Sequence, residues 1–522
     1  MRARVAAMGL AMSFLAACAV LQWASGAYGV DRGQTADEAA HFVNSLLIID
    51  YVSLWPWTNP MAFATDYYLH FPRVSIGHWP PFFHMIQALV LGLFGRSSAT
   101  ALAFQAVIAA MAASGAALVT ARRHGMAWGA AAGLMVLASP QVLIQLDTVM
   151  VDTFLAVLVL ASAASWGAYA RTRHSGWAMA FALCSAAAIL TKGNAFGLAL
   201  LPLVDCALRR DLRLLLRPAT LAAAALVALP TVPWYLLTYR IAADGFVFGW
   251  GWSYTSQALP AYARALAESL GIVGIAALVL GGMTLVRREP VDTGLSAQFS
   301  AVVGLLLFQV LAPADIQARY LVCLVPSAAV VAIHFLARVF ASRRAVALAA
   351  GLLALNLAQT ARLPHPASTH MDEIARRVIE ADSPNPFVLI AGGPHAEGAL
   401  IAAFAEFEPS RRHYVIRASK ALADSNFMGS DYRPRFADAE EAGRWVAESG
   451  IGWLVLDTSP DSLGWRHNAQ LAAAVAALSK SPPLATFPRA GGEVRLYALD
   501  PAADSPDPAA LFARVAPKKV MW

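Results

Sequence analysis

Long apolar runs follow one another along the first two thirds of this chain, at residues 5–23, 100–120, 127–140, 149–170, 177–190, 195–208, 218–239, 270–286, 295–311, 320–340 and 345–359. Such runs approach the length at which a helix crosses a bilayer, since roughly 20 residues are needed for a hydrocarbon core about 30 Å thick. They predict about eleven transmembrane helices, several of them short or tightly joined. The segment 78–95, HWPPFFHMIQALVLGLFG, is also apolar, but it is short and opens with two prolines. Beyond about Arg362 the pattern changes to strand-like and helix-like pieces in alternation: PFVLIAGG, HAEGALIAAFAEF, RHYVIRA, DAEEAGRWVAESG, WLVLD, LATFP and EVRLYAL. That succession predicts a small α/β domain. The expected fold is therefore an all-α polytopic membrane domain over residues 1–361, followed by an α/β domain over residues 362–522.

Composition supports the division. Hydrophobic residues make up 58% of the chain and charged residues 14%, with a mean hydropathy of +0.55, values that a soluble domain of this length does not sustain. Of the 33 acidic residues, 14 precede Thr360 and 19 follow it. The net charge of +6 does not call for nucleic acid, because arginines in short loops between apolar runs are what membrane orientation requires. The four cysteines, Cys18, Cys184, Cys206 and Cys323, all lie in or beside apolar runs, so no disulfide framework is expected. LAAC ending at Cys18 has the look of a lipoprotein cleavage site, but the apolar run continues past it to Trp23 and reads as an uncleaved first helix.

Arginines set the orientation. If segment 78–95 stays on one face as an amphipathic or re-entrant juxtamembrane helix, then Arg2, Arg4, Arg122, Arg123, Arg171, Arg173, Arg209, Arg210, Arg213, Arg287, Arg288, Arg343 and Arg344 all fall on the cytoplasmic side. The long outer loop 24–98, rich in aromatics and proline, and the C-terminal domain then lie outside the cytoplasm. A multi-pass protein of the inner (plasma) membrane is expected.

Against this background the remaining polar residues of the membrane part stand out. Asp37 and Glu38 sit together in TADEAAHF, just after the first run. Asp147 and Asp152 lie in QLDTVMVDTFLAVLVL, Lys192 in ILTKGNAFG, and Asp315, Arg319 and Tyr320 in APADIQARYLVCLVP. In this topology all of them converge on the outer face. Lys192 is the only lysine ahead of Lys420, which points to a compact ammonium at a site and away from an orientation signal. Each has a bland counterpart: an acid at a first helical turn caps free amides, and long cations snorkel to the interface. His41, His78 and His84 match no compact ligand spacing, so no metal and no cofactor is expected. AGGPHAEG follows a strand but lacks the G-x-G-x-x-G spacing of a dinucleotide loop.

In the order of these pieces the chain resembles the GT-C membrane glycosyltransferases that use polyprenyl-phosphate sugars, the group of the protein O-mannosyltransferases and the aminoarabinose transferases of lipid A. The matching pieces are ADEAAHF, GHWPPFFHMIQALVLGLFG, DTVMVDTFLAVLVLAS, LTKGNAFGLALLPL, PWYLL and ARYLVCLVP. The resemblance implies an extracytoplasmic sugar transfer from a polyprenyl-phosphate donor to an acceptor hydroxyl on a glycan, lipid or protein, inverting and carboxylate-assisted. It makes Asp37 the catalytic carboxylate with Glu38 beside it, assigns Lys192, Arg319 and Tyr320 to the donor phosphate, and places Asp152, Asp147, His78 and His84 at the substrate. Here the prolines follow tryptophan, as HWPP where the family has HPP, which puts the family role of His78 in doubt. Some branches of the family need a divalent ion and others do not. The rival class is a transporter of a small polar or anionic solute, which is expected to show related halves and broken helices at mid-membrane.

Overall fold

The computed structural model describes residues 2–54, 57–243, 247–287, 292–340, 343–363, 366–381, 383–425, 429, 431–479, 481–500, 508 and 511. Arg288 of the orienting arginines lies outside them. The chain forms two compact units, one of Met1–Ala27, Gly77–Phe83 and Leu102–His365, the other of Tyr28–Ile76, His84–Ala101 and Pro366–Trp522.

The first unit is helical. Among the described residues seven helices are long and apolar enough to cross a membrane: Val5–Ala24, Ser98–His124, Asp152–Thr172, Pro218–Ala243, Trp252–Leu285, Thr293–Leu311 and Ala318–Val339. The pair Met126–Leu137 and Pro140–Leu146, bent by 72°, makes an eighth if it is one span. Its bend has a local cause, since Ser139 is extended and Pro140 cannot donate a backbone bond or tolerate a helical residue before it. Ser175–Ile189 and Gly193–Leu208 are shorter helices, and the last apolar run lies in the 20-residue helix Arg343–Arg362. A helix of 15 residues such as Ser175–Ile189 rises only about 22 Å. An apolar run does not reveal where its helix breaks.

Small residues set the packing of this unit. A Cβ at Gly304 would lie 3.0 Å from the carbonyl oxygen of Gly197, and one at Gly197 would lie 2.8 Å from Leu305 Cα. The pair lets the short 3-10 helix Gly193–Ala199 press against Thr293–Leu311 backbone to backbone, as small residues do between membrane helices. On Pro218–Ala243, Leu221, Leu229, Val232, Leu236 and Leu237 remain exposed, an apolar surface suited to hydrocarbon. Several orienting arginines are paired: Arg123 with Asp292, Arg173 with Asp211, and Arg209 with Asp205.

The second unit contains a five-stranded sheet in the order β2-β1-β5-β7-β6, made of β1 (Phe387–Ala391), β2 (Tyr414–Arg417), β5 (Trp453–Asp457), β6 (Ala485–Arg489) and β7 (Gly492–Ala498). The short strands β3 (Ala423–Asp424) and β4 (Arg433–Pro434) pair separately. β1 runs parallel to β2 and β5, whereas β7 is antiparallel to β5 and β6. The two central parallel strands are buried at every position, the reason FVLIA and WLVLD read as unbroken apolar runs. Helix Pro394–Phe407 follows β1 and helix Ala439–Glu448 precedes β5. The C-terminal region is thus mixed α/β.

The same unit includes the segment 28–76. Asp31 accepts bonds from Thr369 N at 3.0 Å, Thr369 Oγ1 at 2.6 Å and Met371 N at 3.0 Å. It thereby satisfies free amides at the start of the Met371–Glu380 helix. Asp372, in the first turn of that helix, is pushed up to about 7 by burial, with Asp31 and Glu406 adding to the rise. A raised folded pKa contributes stability that is complete below the ordinary carboxyl value and is lost as pH rises through the folded one. Asp372→Asn is therefore expected to melt above wild type at pH 8, the gap closing as pH falls from 7 toward 4. Melting curves of the two proteins across that range check it, and a pH-independent gap contradicts it.

Candidate active site

Asp37 occupies the N-cap position of helix Glu38–Ser53, but in a helical conformation (φ −87°, ψ −25°) and with no side-chain cap hydrogen bond. Its half-buried carboxylate is thus not used up on the amides of its own helix. Glu38, fully buried, has a different occupation. Its carboxylate accepts from Arg32 Nη1 at 3.3 Å and from the backbone of Gln34 at 2.8 Å, while its own amide donates to Thr35 Oγ1 at 3.2 Å. These bonds close the turn 32–38 on itself, much as a reciprocal capping box does. Adjacent residues of one helix point about 100° apart, and here one acid holds the turn while the other is presented by it.

Arg73 belongs to this neighbourhood, although nothing in its sequence context singled it out beyond being an arginine in an outer loop, against the orientation bias. Its Nη2 donates to Pro394 O at 2.6 Å. Burial pushes its guanidinium down to about 10, helped by Arg417, while Glu397 and then Asp37 act in the opposite sense. Asp37 thus faces fixed positive charge. Arg32 and Arg96 are the other arginines of segment 24–98 given roles by the fold; Arg96 pairs with Asp50.

The histidines divide. His41 Nδ1 lies 3.1 Å from His84 Nε2, both rings buried and stacked at 5.3 Å, with Ser45 Oγ donating to Gln87 Oε1 at 2.8 Å one turn along. Half-buried His78 falls in the other unit. Among the described residues no three His, Cys, Asp or Glu side chains stand together to hold a metal ion.

In the helical unit four of the singled-out residues come together. Lys192 Nζ donates to Asp152 Oδ1 at 2.6 Å, with both side chains buried. The ammonium also sits 4.4 Å from the centre of the Tyr320 ring, and Arg319 lies 5.6 Å from the same ring. Gln145 fixes the start of the Asp152 helix, its Nε2 donating to Asp152 Oδ2 at 3.3 Å and its Oε1 accepting from Thr153 N at 3.0 Å. Asp152 stands in the first turn of its helix, where a carboxylate is favoured by the helix dipole. A turn ending in Gly193 supplies the lysine: Lys192 is extended (φ −158°), and Tyr235 Oη donates to Ile189 O at 3.0 Å just before it. Asp147 stands at the C-cap of Pro140–Leu146. Asp315 accepts from Ile316 N at 2.8 Å and from Gln317, shaping the loop before Arg319. Chemically, a phenol and two cations, one of them an ammonium held by a carboxylate, form a place for an anionic group.

No protein-family model matches the sequence, and no curated protein matches it. Solved structures do. ArnT from Cupriavidus metallidurans in the apo state is similar over 94% of this chain and 98% of its own, with a TM-score of 0.62 at 16% identity. The chain carries the fold of ArnT. The same protein bound to undecaprenyl phosphate gives a TM-score of 0.60 over the same shares of both chains. The Archaeoglobus fulgidus oligosaccharyltransferase, in a complex with Zn and sulfate, covers 85% of this chain and 68% of its own at 14% identity, with a TM-score of 0.53. The GT-C resemblance drawn from the sequence is matched by this likeness of fold to ArnT over most of the chain, and the protein is a multi-pass membrane protein.

Proposed function

We propose that this protein is a membrane glycosyltransferase that moves a sugar from a polyprenyl-phosphate donor to an acceptor hydroxyl at the extracytoplasmic surface. The observation that carries the reading is the buried Lys192 ammonium, held by Asp152 over the Tyr320 ring beside Arg319, in a chain whose structural neighbour ArnT binds undecaprenyl phosphate. Cations gathered at one end of an apolar bundle mark a candidate site for an anion, and a lipid phosphate at the bilayer surface is an anion that arrives from the membrane. Asp37 takes the proton of the acceptor hydroxyl as its oxygen bonds to the anomeric carbon. The bond from that carbon to the phosphate oxygen breaks, the electron pair leaves with the phosphate, and Lys192, Arg319 and Tyr320 neutralise the charge that develops there. Attack opposite the leaving phosphate inverts the anomeric centre. Glu38 keeps the loop in shape; Asp152 orients the lysine; Asp147, His78 and His84 are assigned to the substrate surroundings.

The test is purified protein with a panel of polyprenyl-phosphate sugars and glycan, lipid and protein acceptors. Release of polyprenyl phosphate together with a one-sugar mass gain on an acceptor is expected. Solute uptake into sealed vesicles without that release would instead establish a transporter.

In this reading the helices Ser175–Ile189, Gly193–Leu208 and Arg343–Arg362 complete eleven crossings, and residues 362–522 form an extracytoplasmic domain. Single cysteines at Thr35 and Ser481, in a background without Cys18, Cys184, Cys206 and Cys323, are expected to react with an impermeant thiol reagent added outside, and one at Ser175, beside the arginines of its loop, is not. Labelling of Ser175→Cys with protection of the other two reverses the orientation.

A further inference from the structure

We propose that the C-terminal domain is the positioning element of the loop that presents Asp37, and that Gly398 is the residue through which it acts; this rests on Asp37 being the proton acceptor of the proposed reaction. The contacts bracket Asp37 on both sides. Ahead of it, Asp31 is bonded to Thr369 and Met371. Gln34 pairs in both directions with the backbone of Ala367, Nε2 to O at 2.9 Å and N to Oε1 at 3.1 Å. Gly33 lies so close to helix Pro394–Phe407 that a Cβ there would stand 2.7 Å from Ala399 Cβ and 2.8 Å from His395 O, and its carbonyl lies 3.1 Å from His395 Nδ1. Behind Asp37, Ala39 meets the same helix at Gly398, where a Cβ would be 3.0 Å from Ala39 Cβ and 3.3 Å from Arg73 Nε.

Helix Pro394–Phe407 therefore serves as a template with two backbone-close seats, one at Gly33 and one at Ala39, and Asp37 lies in the span between them. Arg73 is fixed by the same helix through Pro394 O, so the acid and the cation that faces it are set by one element. A loop of this length has many conformations when free, and a displacement of about 1 Å at a reacting group costs on the order of a hundredfold in rate. Docking on a rigid helix removes that freedom. The domain is thus part of the catalytic apparatus without touching the reacting atoms.

Gly398→Ala tests this. The new methyl meets Ala39 on a helix that has no rotamer with which to yield, so helix 38–53 and the loop before it must shift by a few tenths of an ångström. The expected result is a fall in kcat of tenfold or more, a donor KM within twofold of wild type, and faster hydrogen exchange of the amides of residues 31–42. Adding Ala39→Gly removes the methyl that is struck and should return both kcat and exchange most of the way. Gly33→Ala, at the second seat, is expected to show the same split between kcat and KM. Wild-type kcat and exchange in Gly398→Ala, or a double variant no better than the single one, overturns the proposal. The exchange measurement needs no turnover, so it reports on the docking even if Asp37→Asn proves active and the transferase reading falls.

Discussion

Asp37→Asn is expected to lower sugar transfer by about a hundredfold or more, because the amide keeps the size of the side chain but cannot accept the proton of the acceptor hydroxyl. Insertion and donor binding should be unchanged. The structure sharpens this expectation. A capping aspartate would tolerate the change, since asparagine caps as well as aspartate does, yet the side chain of Asp37 makes no cap hydrogen bond. Glu38→Gln is expected to behave differently. Its carboxylate is buried against Arg32 and the amide of Gln34, so the loss of this buried ion pair should appear first in thermal stability. Measuring turnover and melting on the same preparations separates the two acids; full activity in Asp37→Asn would remove it from the mechanism.

Lys192→Ala should have the second large effect, but its origin is double. A lost charge-assisted contact to phosphate costs on the order of a few kcal/mol, and truncation also strands the buried carboxylate of Asp152, which by itself is strongly destabilising. Turnover at limiting donor is expected to fall at least as far as in Asp37→Asn, with lowered stability alongside. In the double variant Lys192→Met/Asp152→Asn the stranded charge is gone, so stability should recover while donor use does not. Lys192→Arg should rescue donor use only in part, because a planar guanidinium is wider than the ammonium seated between Asp152 and the Tyr320 ring. Arg319→Ala should also weaken donor use, through the lost contact to phosphate. Recovery of donor use in the double variant, or wild-type turnover in Lys192→Ala, would refute the phosphate-binding role.

Much of the architecture was legible as pattern. The strands β1 and β5 lie within the pieces PFVLIAGG and WLVLD, and β6 and β7 overlap LATFP and EVRLYAL to within a residue, because a buried strand needs only a short apolar run between turn signals. Helix Met371–Glu380, with its apolar face towards the interior, escaped notice, as its apolar positions are few and interleaved with charge. Among the described residues seven helices, or eight with the bent pair, are long and apolar enough to span, fewer than the apolar runs predicted, in part because hydropathy registers a run but not a break such as the one before Pro140.

What the sequence by itself determined is the division into an apolar helical part and a mixed α/β part, and the identity of its rare charges, because burying a charge in lipid is costly enough to make each exception visible in the composition. Only the tertiary structure decided which of those charges meet. Lys192 and Asp152 are 40 residues apart in the chain and 2.6 Å apart in space; Arg73 reaches the carbonyl of Pro394, 321 residues later. It also decided that Glu38 is bonded to its own loop and that Asp37 makes no cap hydrogen bond to its helix. Neither pattern nor propensity carries such information, because local periodicity fixes the direction in which a side chain leaves its own helix, whereas the partner it finds depends on how distant segments pack.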